Sequence, residues 1–345
     1  MKSEKPYVLL SDLHFHSWST FSTINEDGVN SRLQIIIDEV VRAKKELVKA
    51  DGDTMVLAGD LFHTRGSISP EVLNPVIEMF ESIRDEGVTV CAIPGNHDLS
   101  SKDSSWLTNA ASALIPAGVK MAHQTTVTPD MVLVPWFSSI GELKKELERH
   151  ISPDKDAIIH APVDDIIPGL PSHGLDDAYL SGLGYRRVFS GHYHNFKSFG
   201  NGVYSIGATT HQTWSDVDSK AGFLLVYPDS VRRFDSHAPK FVNIYGDMDD
   251  EEMMICDGNY CRVKIGKATP AEINDIRQEL ISYGAKGVVI QAVRQTEIEE
   301  RDASVVGSVT TLNQSVAAYV EDKFGKNEAL IKLCDAILEE VEEVE

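Results

Sequence analysis

The feature that most constrains this chain is a repeated unit, a short apolar, β-rich run that stops abruptly at a polar residue. It appears as "YVLLSD" (7–12), "TMVLAGD" (54–60), "VTVCAIPGN" (88–96), "MVLVPWF" (131–137), "AIIH" (157–160) and "RVFSGHYH" (187–194). "GVYSIGATT" and "GFLLVYP" follow. Continuous apolar runs of this length suit strands covered on both faces. Between the early runs lie helical patterns, "SRLQIIIDEVVRAKKELVKA" and "SPEVLNPVIEMFESIRDEG", the second closed by Gly87. Strands alternating with helices imply a largely parallel sheet, with the later short strands as hairpins. In open α/β sheets, sites gather at the carboxyl ends of strands. Here the unusual residues sit at those ends.

Read in order, the strand ends give Asp12-x-His14, Gly59-Asp60, Gly95-Asn96-His97-Asp98, His160 and Gly191-His192-x-His194. Each alone has an ordinary explanation. Asp12 could cap a turn, Asn96 could make an Asx turn, and His160 could be a satisfied core histidine. Five such elements in compatible order point instead to chemistry. Two divalent ions held close together need a bridging carboxylate and a mixture of imidazole and oxygen ligands. Such a pair can clamp a phosphate, activate water and stabilise a leaving oxygen. The glycines before Asp60, Asn96 and His192 are expected to let the backbone turn sharply as it leaves each strand. A donor set without cysteine favours Mn²⁺, with Fe²⁺, Zn²⁺ and Mg²⁺ as alternatives.

Size and charge bound the rest. At 345 residues, 42% of them hydrophobic and 25% charged, the chain has room for one large and one smaller domain. No apolar run approaches the ~18 residues of a spanning helix, and "MKSEKPYVLL" runs into a strand rather than a signal-peptide core. The expectation is a cytoplasmic protein without a membrane contact. Cys91, Cys256, Cys261 and Cys334 form no C-x-x-C pair and read as packing residues. The net charge of −21 is uneven, with 22 acidic and 10 basic residues from Phe241 to Glu345. Such a surface repels polyanions unless local basic groups or bound cations reverse its sign.

An acidic, linker-like stretch begins near Gly246. Beyond it "YCRVKIG" and "GVVIQAV" read as strands and "TPAEINDIRQELISYG" as a capped helix. "SVAAYVEDKFG" and "NEALIKLCDAILEEVEEVE" read as closing helices. The expected division is residues 1–240 and 241–345.

The ordered set D-x-H, G-D, G-N-H-D, H and G-H-x-H resembles the calcineurin-like metallophosphoesterase superfamily, over about Pro6 to Tyr227. The resemblance implies a four-layer α/β/β/α sandwich with a small C-terminal α+β capping domain. It implies that Asp12, His14, Asp60 and His194 hold one metal, and Asp60, Asn96, His160 and His192 the other, with Asp60 as the bridge. His97 would contact the phosphate and protonate the leaving group, and Asp98 would orient His97.

Within the superfamily, "AGDLFHTRGSISPEVL" resembles SbcD-like DNA repair and recombination nucleases, and "VYSIGATTHQTWSDVDSKAGFLLV" and "GNYCRVKIGKATPAEINDIRQEL" resemble their later segments. Protein phosphatases would show G-D-x-x-D-R-G and G-N-H-E, and neither is present. The resemblance implies a DNA nuclease, exo- or endonucleolytic, that works with an SbcC-like ABC-type ATPase and pairs as a homodimer. His63 matches a second catalytic histidine of several of these nucleases, and Arg65 is a candidate for substrate phosphate; Arg186, Arg187 and Lys197 are weaker ones. The chain departs from the pattern at His16, where the first motif usually continues into glycine; solvent exposure or loop packing is expected there. Trp18 and Phe21 in the following loop read as loop anchors, with base stacking as the alternative. A phosphodiesterase for cyclic or small nucleotides is the alternative enzyme, and a catalytically silent scaffold the alternative outside catalysis.

Overall fold

Along β1 (Tyr7–Leu10) every side chain is buried, yet the four do not enter one core. Val8 and Leu10 join one hydrophobic cluster and Tyr7 and Leu9 another. Successive strand residues point to opposite faces, so a fully apolar run is what a strand between two packed layers requires. β2 (Thr54–Ala58) divides the same way, Met55 and Leu57 against Val56 and Ala58. The computed structural model of the chain describes residues 5–101, 109–245, 250–266 and 268–292, with Val320, Gly325, Leu330 and Ile331.

Three further strands of the first half are β3 (Thr89–Ile93), β4 (Val119–Met121) and β5 (Thr126–Val127). β6 (Met131–Val134), β7 (Asp156–His160), β8 (Arg187–Gly191), β9 (Lys197–Ser198) and β10 (Val203–Ser205) follow. The sandwich closes with β11 (Gly222–Val226) and β12 (Val231–Asp235). One six-stranded sheet runs β12-β11-β1-β2-β3-β4, the other β5-β6-β7-β8-β10-β9. β1-β2-β3-β4 are parallel, with β11 and β12 antiparallel beside them, and β6-β7-β8-β10 are parallel, with β5 and β9 antiparallel at the two edges.

Between the sheets lies a core of Leu9, Val56, Ile93, Leu133, Ile158, Phe189 and Leu224. Helix α1 (Ser31–Lys49) covers the outer face of the first sheet through Leu33, Ile36, Val40, Ala43 and Leu47. Asn30 caps it, its side chain accepting from the backbone N–H of Arg32 and Leu33. Beside it packs α2 (Pro70–Asp85), opened by Pro70 and followed by Gly87 at φ +85°. The second sheet is covered by α3 (Ile140–Arg149) and α4 (Asp177–Gly182) through Leu143, Leu147 and Leu180. The layers are therefore α/β/β/α.

At the edge away from the carboxyl ends, β7 and β8 begin with Asp156 and Arg187. Asp156 is wholly buried and accepts paired bonds from Arg186 (2.9 and 2.7 Å) and Arg187 (2.9 and 2.7 Å), and one from the Tyr7 hydroxyl (2.8 Å). These two arginines belong to a structural ion network, remote from the opposite strand ends.

A third sheet, all parallel, is made of β13 (Phe241–Tyr245), β14 (Tyr260–Ile265) and β15 (Gly287–Ala292). Its crossovers are α5 (Asp250–Cys256) and α6 (Pro270–Ser282). Met253 and Cys256 bury against the sheet, which is why the acidic stretch expected as linker turns helical there. Thr269 and Glu272 form a reciprocal capping box at the start of α6. Phe21 stacks on Tyr260, ring centroids 5.0 Å apart, and Gly287 lies against the Phe21 ring where a Cβ would overlap it. Phe21 thus anchors the third sheet to the loop after β1. Trp18 packs under the Arg32 guanidinium at 4.9 Å.

The chain divides into two compact units, Met1–Ala292 and Val293–Glu345, so the sheet beginning at Phe241 shares a unit with the sandwich. Of the expected closing helices only Val320, Gly325, Leu330 and Ile331 are described; their other residues, and Cys334, lie outside the described residues. Among the described residues, no helix is long and apolar enough to cross a membrane.

Candidate metal centre

Where β1, β2, β3, β7 and β8 end, their loops converge. Asp12 (φ 50°), His14 (45°), Asp60 (53°) and His192 (102°) all take left-handed backbone conformations there. Such conformations are costly for residues with a Cβ and persist where surrounding structure enforces them. Gly59 also turns at positive φ. Gly95 and Gly191 do not; a Cβ at Gly95 would overlap the Asp60 carboxylate, and one at Gly191 the Ser11 hydroxyl. Close approach, rather than a sharp turn, requires glycine at these two positions.

Two sets of donors result, and His14 also forms a third group with His63 and His97. Asp12, His14 and His194 bring ligand atoms within 4.8 Å of one another, and so do Asp60, His160 and His192. Asp60 faces both, Oδ2 lying 3.6 Å from His14 Nε2 and Oδ1 3.5 Å from His160 Nε2. Asn96 Oδ1 stands 3.2 Å from His160 Nε2 and 2.9 Å from His192 Nδ1. All seven residues predicted as ligands are brought together.

The hydrogen bonds behind these groups decide what they can hold. His160 Nδ1 donates to the Ala58 carbonyl at 2.7 Å, which turns the Nε2 lone pair toward Asp60 and Asn96. His194 Nδ1 donates to Asp216 Oδ1 at 2.6 Å, turning its Nε2 toward His14 Nε2 at 3.3 Å. At His160 an acceptor therefore faces acceptors, and a cation placed between them satisfies both. Asp12 Oδ1 and His14 Nδ1 are also buried without a protein partner. A metal-binding imidazole backed by a carboxylate or carbonyl is the usual arrangement, so the residues fit two divalent ions. Without them, protons meet the same demand. Burial alone would lower His160, but Asp60 and its hydrogen bond carry it up to about 9. His194 is likewise raised to about 9 against burial, by Asp216 and Asp12. His14 is held well below the ordinary imidazole range by burial, and His192 at about 3 by burial and His160.

Residues 5–196 match the profile of the calcineurin-like phosphoesterase family. The chain belongs to that family. Among its relatives, exonuclease subunit 1 of Enterobacteria phage T4 is 29% identical over 208 residues, which are 57% of this chain and 60% of the phage protein. The chain thus matches about three fifths of that relative's length. The DNA double-strand break repair protein Mre11 of Methanopyrus kandleri is 24% identical over 319 residues, 80% of this chain and 69% of the relative. Among solved structures, a dimetal phosphatase from Danio rerio aligns over 68% of this chain and 99% of its own, at 11% identity and a TM-score of 0.40.

In this phosphoesterase, His97 sits beside the metal-binding imidazoles, its ring 4.8 Å from that of His14. Its Nδ1 donates to the His63 carbonyl at 2.9 Å and its backbone N–H to Asp60 Oδ1 at 2.8 Å. Among the described residues, no hydrogen bond joins the Asp98 carboxylate to the His97 ring. That carboxylate accepts from the backbone N–H of Leu61, Phe62 and Gly95 at 2.9, 3.1 and 2.8 Å, tying the β2 and β3 loops together. Burial and the Asp60 charge nevertheless push Asp98 up to about 7. The orienting role expected of it falls to the His63 carbonyl.

The His63 ring stacks near His97, centroids 5.7 Å apart, and its own pKa falls to about 4 through burial and the neighbouring imidazoles. Arg65 is exposed on the adjoining turn. Lys197 donates to the Asp165 carbonyl. His16 is half-buried between Trp18 and His63, at 5.1 and 5.0 Å.

Sequence reasoning missed Asp216. Its Oδ2 accepts from the N–H of Gln212 and Thr213 while Oδ1 holds His194. A Thr-x-x-Asp pattern reads as a helix cap, and that true role conceals the second one. Ser11 and Gln212, which steady Asp12 through its carboxylate and its carbonyl, carried no signal either.

Proposed function

We propose that this phosphoesterase is a metal-dependent DNA nuclease, an SbcD-like subunit that cleaves phosphodiester bonds with Mn²⁺. The observation that carries the reading is Asp60 facing two donor sets, with His97 held beside them. The choice of DNA is supported by two relatives named as an exonuclease subunit and as a DNA double-strand break repair protein. Partnership with an SbcC-like ABC-type ATPase, and pairing of two copies, belong to the same proposal.

Asp12, His14, Asp60 and His194 would hold one ion, and Asp60, Asn96, His160 and His192 the other. When bound, two such ions supply Lewis acidity toward a phosphate and lower the pKa of water. The chain's own contribution is orientation. With Nδ1 committed to the His63 carbonyl, His97 presents Nε2, which in the imidazolium form would carry the second proton and could give it to the leaving oxygen. Asp216 and the Ala58 carbonyl hold His194 and His160 in the tautomers that leave Nε2 open.

The test is digestion of end-labelled linear duplex DNA with Mn²⁺, beside a small bis-aryl phosphodiester, with and without the ATPase partner. Wild type should cut DNA, and His97→Ala should cut about 10²–10⁴-fold more slowly with unchanged metal binding. Turnover of the small diester with DNA untouched even in the presence of the partner would overturn the reading in favour of a small-nucleotide phosphodiesterase.

A further inference from the structure

A cavity of about 150 Å³ lies beside the metal centre, on the far side of His63. Its floor is apolar, formed by Phe15, Phe62 and Val72, and Ile68 adds to its wall. Its rim is polar, formed by the His16 imidazole and the hydroxyls of Thr64 and Ser67. His16 Nδ1 and Thr64 Oγ1, 3.4 Å apart, link the loop after β1 to the turn after β2.

We propose that this cavity receives a nucleobase of the substrate, so that the chain selects nucleotide diesters over base-free ones. The inference rests on the phosphodiesterase reading above and names what flanks the scissile phosphate. Size supports it, since an apolar cavity of about 150 Å³ holds a benzene-sized ring. Chemistry supports it as well. The buried Phe15 and Phe62 form an apolar back wall, and a base would offer its hydrogen-bonding edges to the His16 imidazole and the Thr64 and Ser67 hydroxyls. Position supports it most. The His63 ring is 5.4 Å from His14 and 5.0 Å from His16, so one imidazole separates the metal-binding donors from the cavity. Arg65, exposed in the chain between the rim residues Thr64 and Ser67, is a counter-charge available to a substrate phosphate. A glycine at position 16 would remove one wall, so the cavity belongs to this chain's departure from the usual motif.

The experiment compares kcat/KM of the Mn²⁺-loaded full chain on p-nitrophenyl esters of thymidine 5′- and 3′-phosphate with the matching base-free deoxyribose esters. Wild type should prefer one of the thymidine esters by about tenfold, the scale of one or two net hydrogen bonds. In Ser67→Trp, which fills the rim, and in His16→Gly, which opens it, the ratio should fall to near one. The ratio divides out changes in overall activity. Equal turnover of both ester types by wild type, or a preference that both variants retain, overturns the cavity assignment and leaves the phosphodiesterase reading standing. No turnover of any ester or of DNA removes the phosphodiesterase reading, and this inference with it.

Discussion

Asp216 shows how much a single residue outside the ligand set can decide. It donates no atom to the donor sets, yet it fixes which nitrogen of His194 carries the proton and which faces the site. Removing such a partner typically costs 10–100-fold in metal affinity. Asp216→Asn keeps the shape and the cap but loses the charge, so Mn²⁺ should bind about 10–100-fold more weakly. Calorimetric titration with Mn²⁺ checks this, and circular dichroism should show the fold intact. An unchanged affinity would mean that the His194 tautomer is fixed by something else. Asp98 teaches the converse. Placed next to His97 in the chain, it serves the backbone of two loops instead.

At the scale of elements, two contacts carry most of the arrangement. The first is the Asp156 network where β7 and β8 begin. Burial pushes the Asp156 carboxyl up, but Arg186, Arg187 and Tyr7 more than offset it and hold the carboxyl below its usual range. Asp156→Ala leaves the buried Arg187 guanidinium without its counter-charge, bonded only to the Tyr227 and Ser230 carbonyls, at a cost of about 3–5 kcal/mol in urea unfolding. Because the folded pKa is depressed, the wild-type advantage is present above the unfolded value of about 3.9 and is lost as pH falls through the folded value. The stability gap between wild type and variant should therefore be constant near neutral pH and narrow below about pH 4. A gap that widened in acid would contradict this assignment. The second contact is Phe21 against Gly287. Gly287→Val should push the Phe21 ring off Tyr260 and speed hydrogen exchange in β14 and β15. Exchange in β1 and β2 should stay as it was, because their core lies elsewhere.

The whole molecule couples metal binding to stability and to pH. A chain of net charge −21 gathers carboxylates and imidazoles at one edge, where acceptors face acceptors. Divalent ions should stabilise the fold by about 2.7 kcal/mol per site at a hundredfold excess over Kd, raising Tm by a few degrees, with EDTA reversing the gain. His160 and His194, each carried up to about 9 without metal, must release protons to bind it. The Mn²⁺-induced rise in Tm should therefore grow as pH increases from 6 toward 9, and Asp60→Asn should abolish most of it. Scanning calorimetry across that range decides the matter; a rise in Tm that shrank with increasing pH would contradict the proton linkage.

What the sequence determined alone was local in its physics. Strand alternation follows from which face each side chain must bury, and the strand ends stand out by their carboxylates, amide and imidazoles. That Asp12, His14, Asp60, Asn96, His160, His192 and His194 sit at strand ends was legible for that reason, and so were the outer helices α1 and α2 and the capping box of α6. The tertiary structure decided what depends on approach between distant segments. His63 meets His97 through its carbonyl, across 34 residues of chain. Asp216 reaches His194 from a turn that reads as an ordinary cap, and Gly95 and Gly191 are glycines because other segments press against them. A pattern along a chain records which face a residue buries. It does not record which residue from elsewhere will meet it there, because that depends on how two sheets align their strand ends.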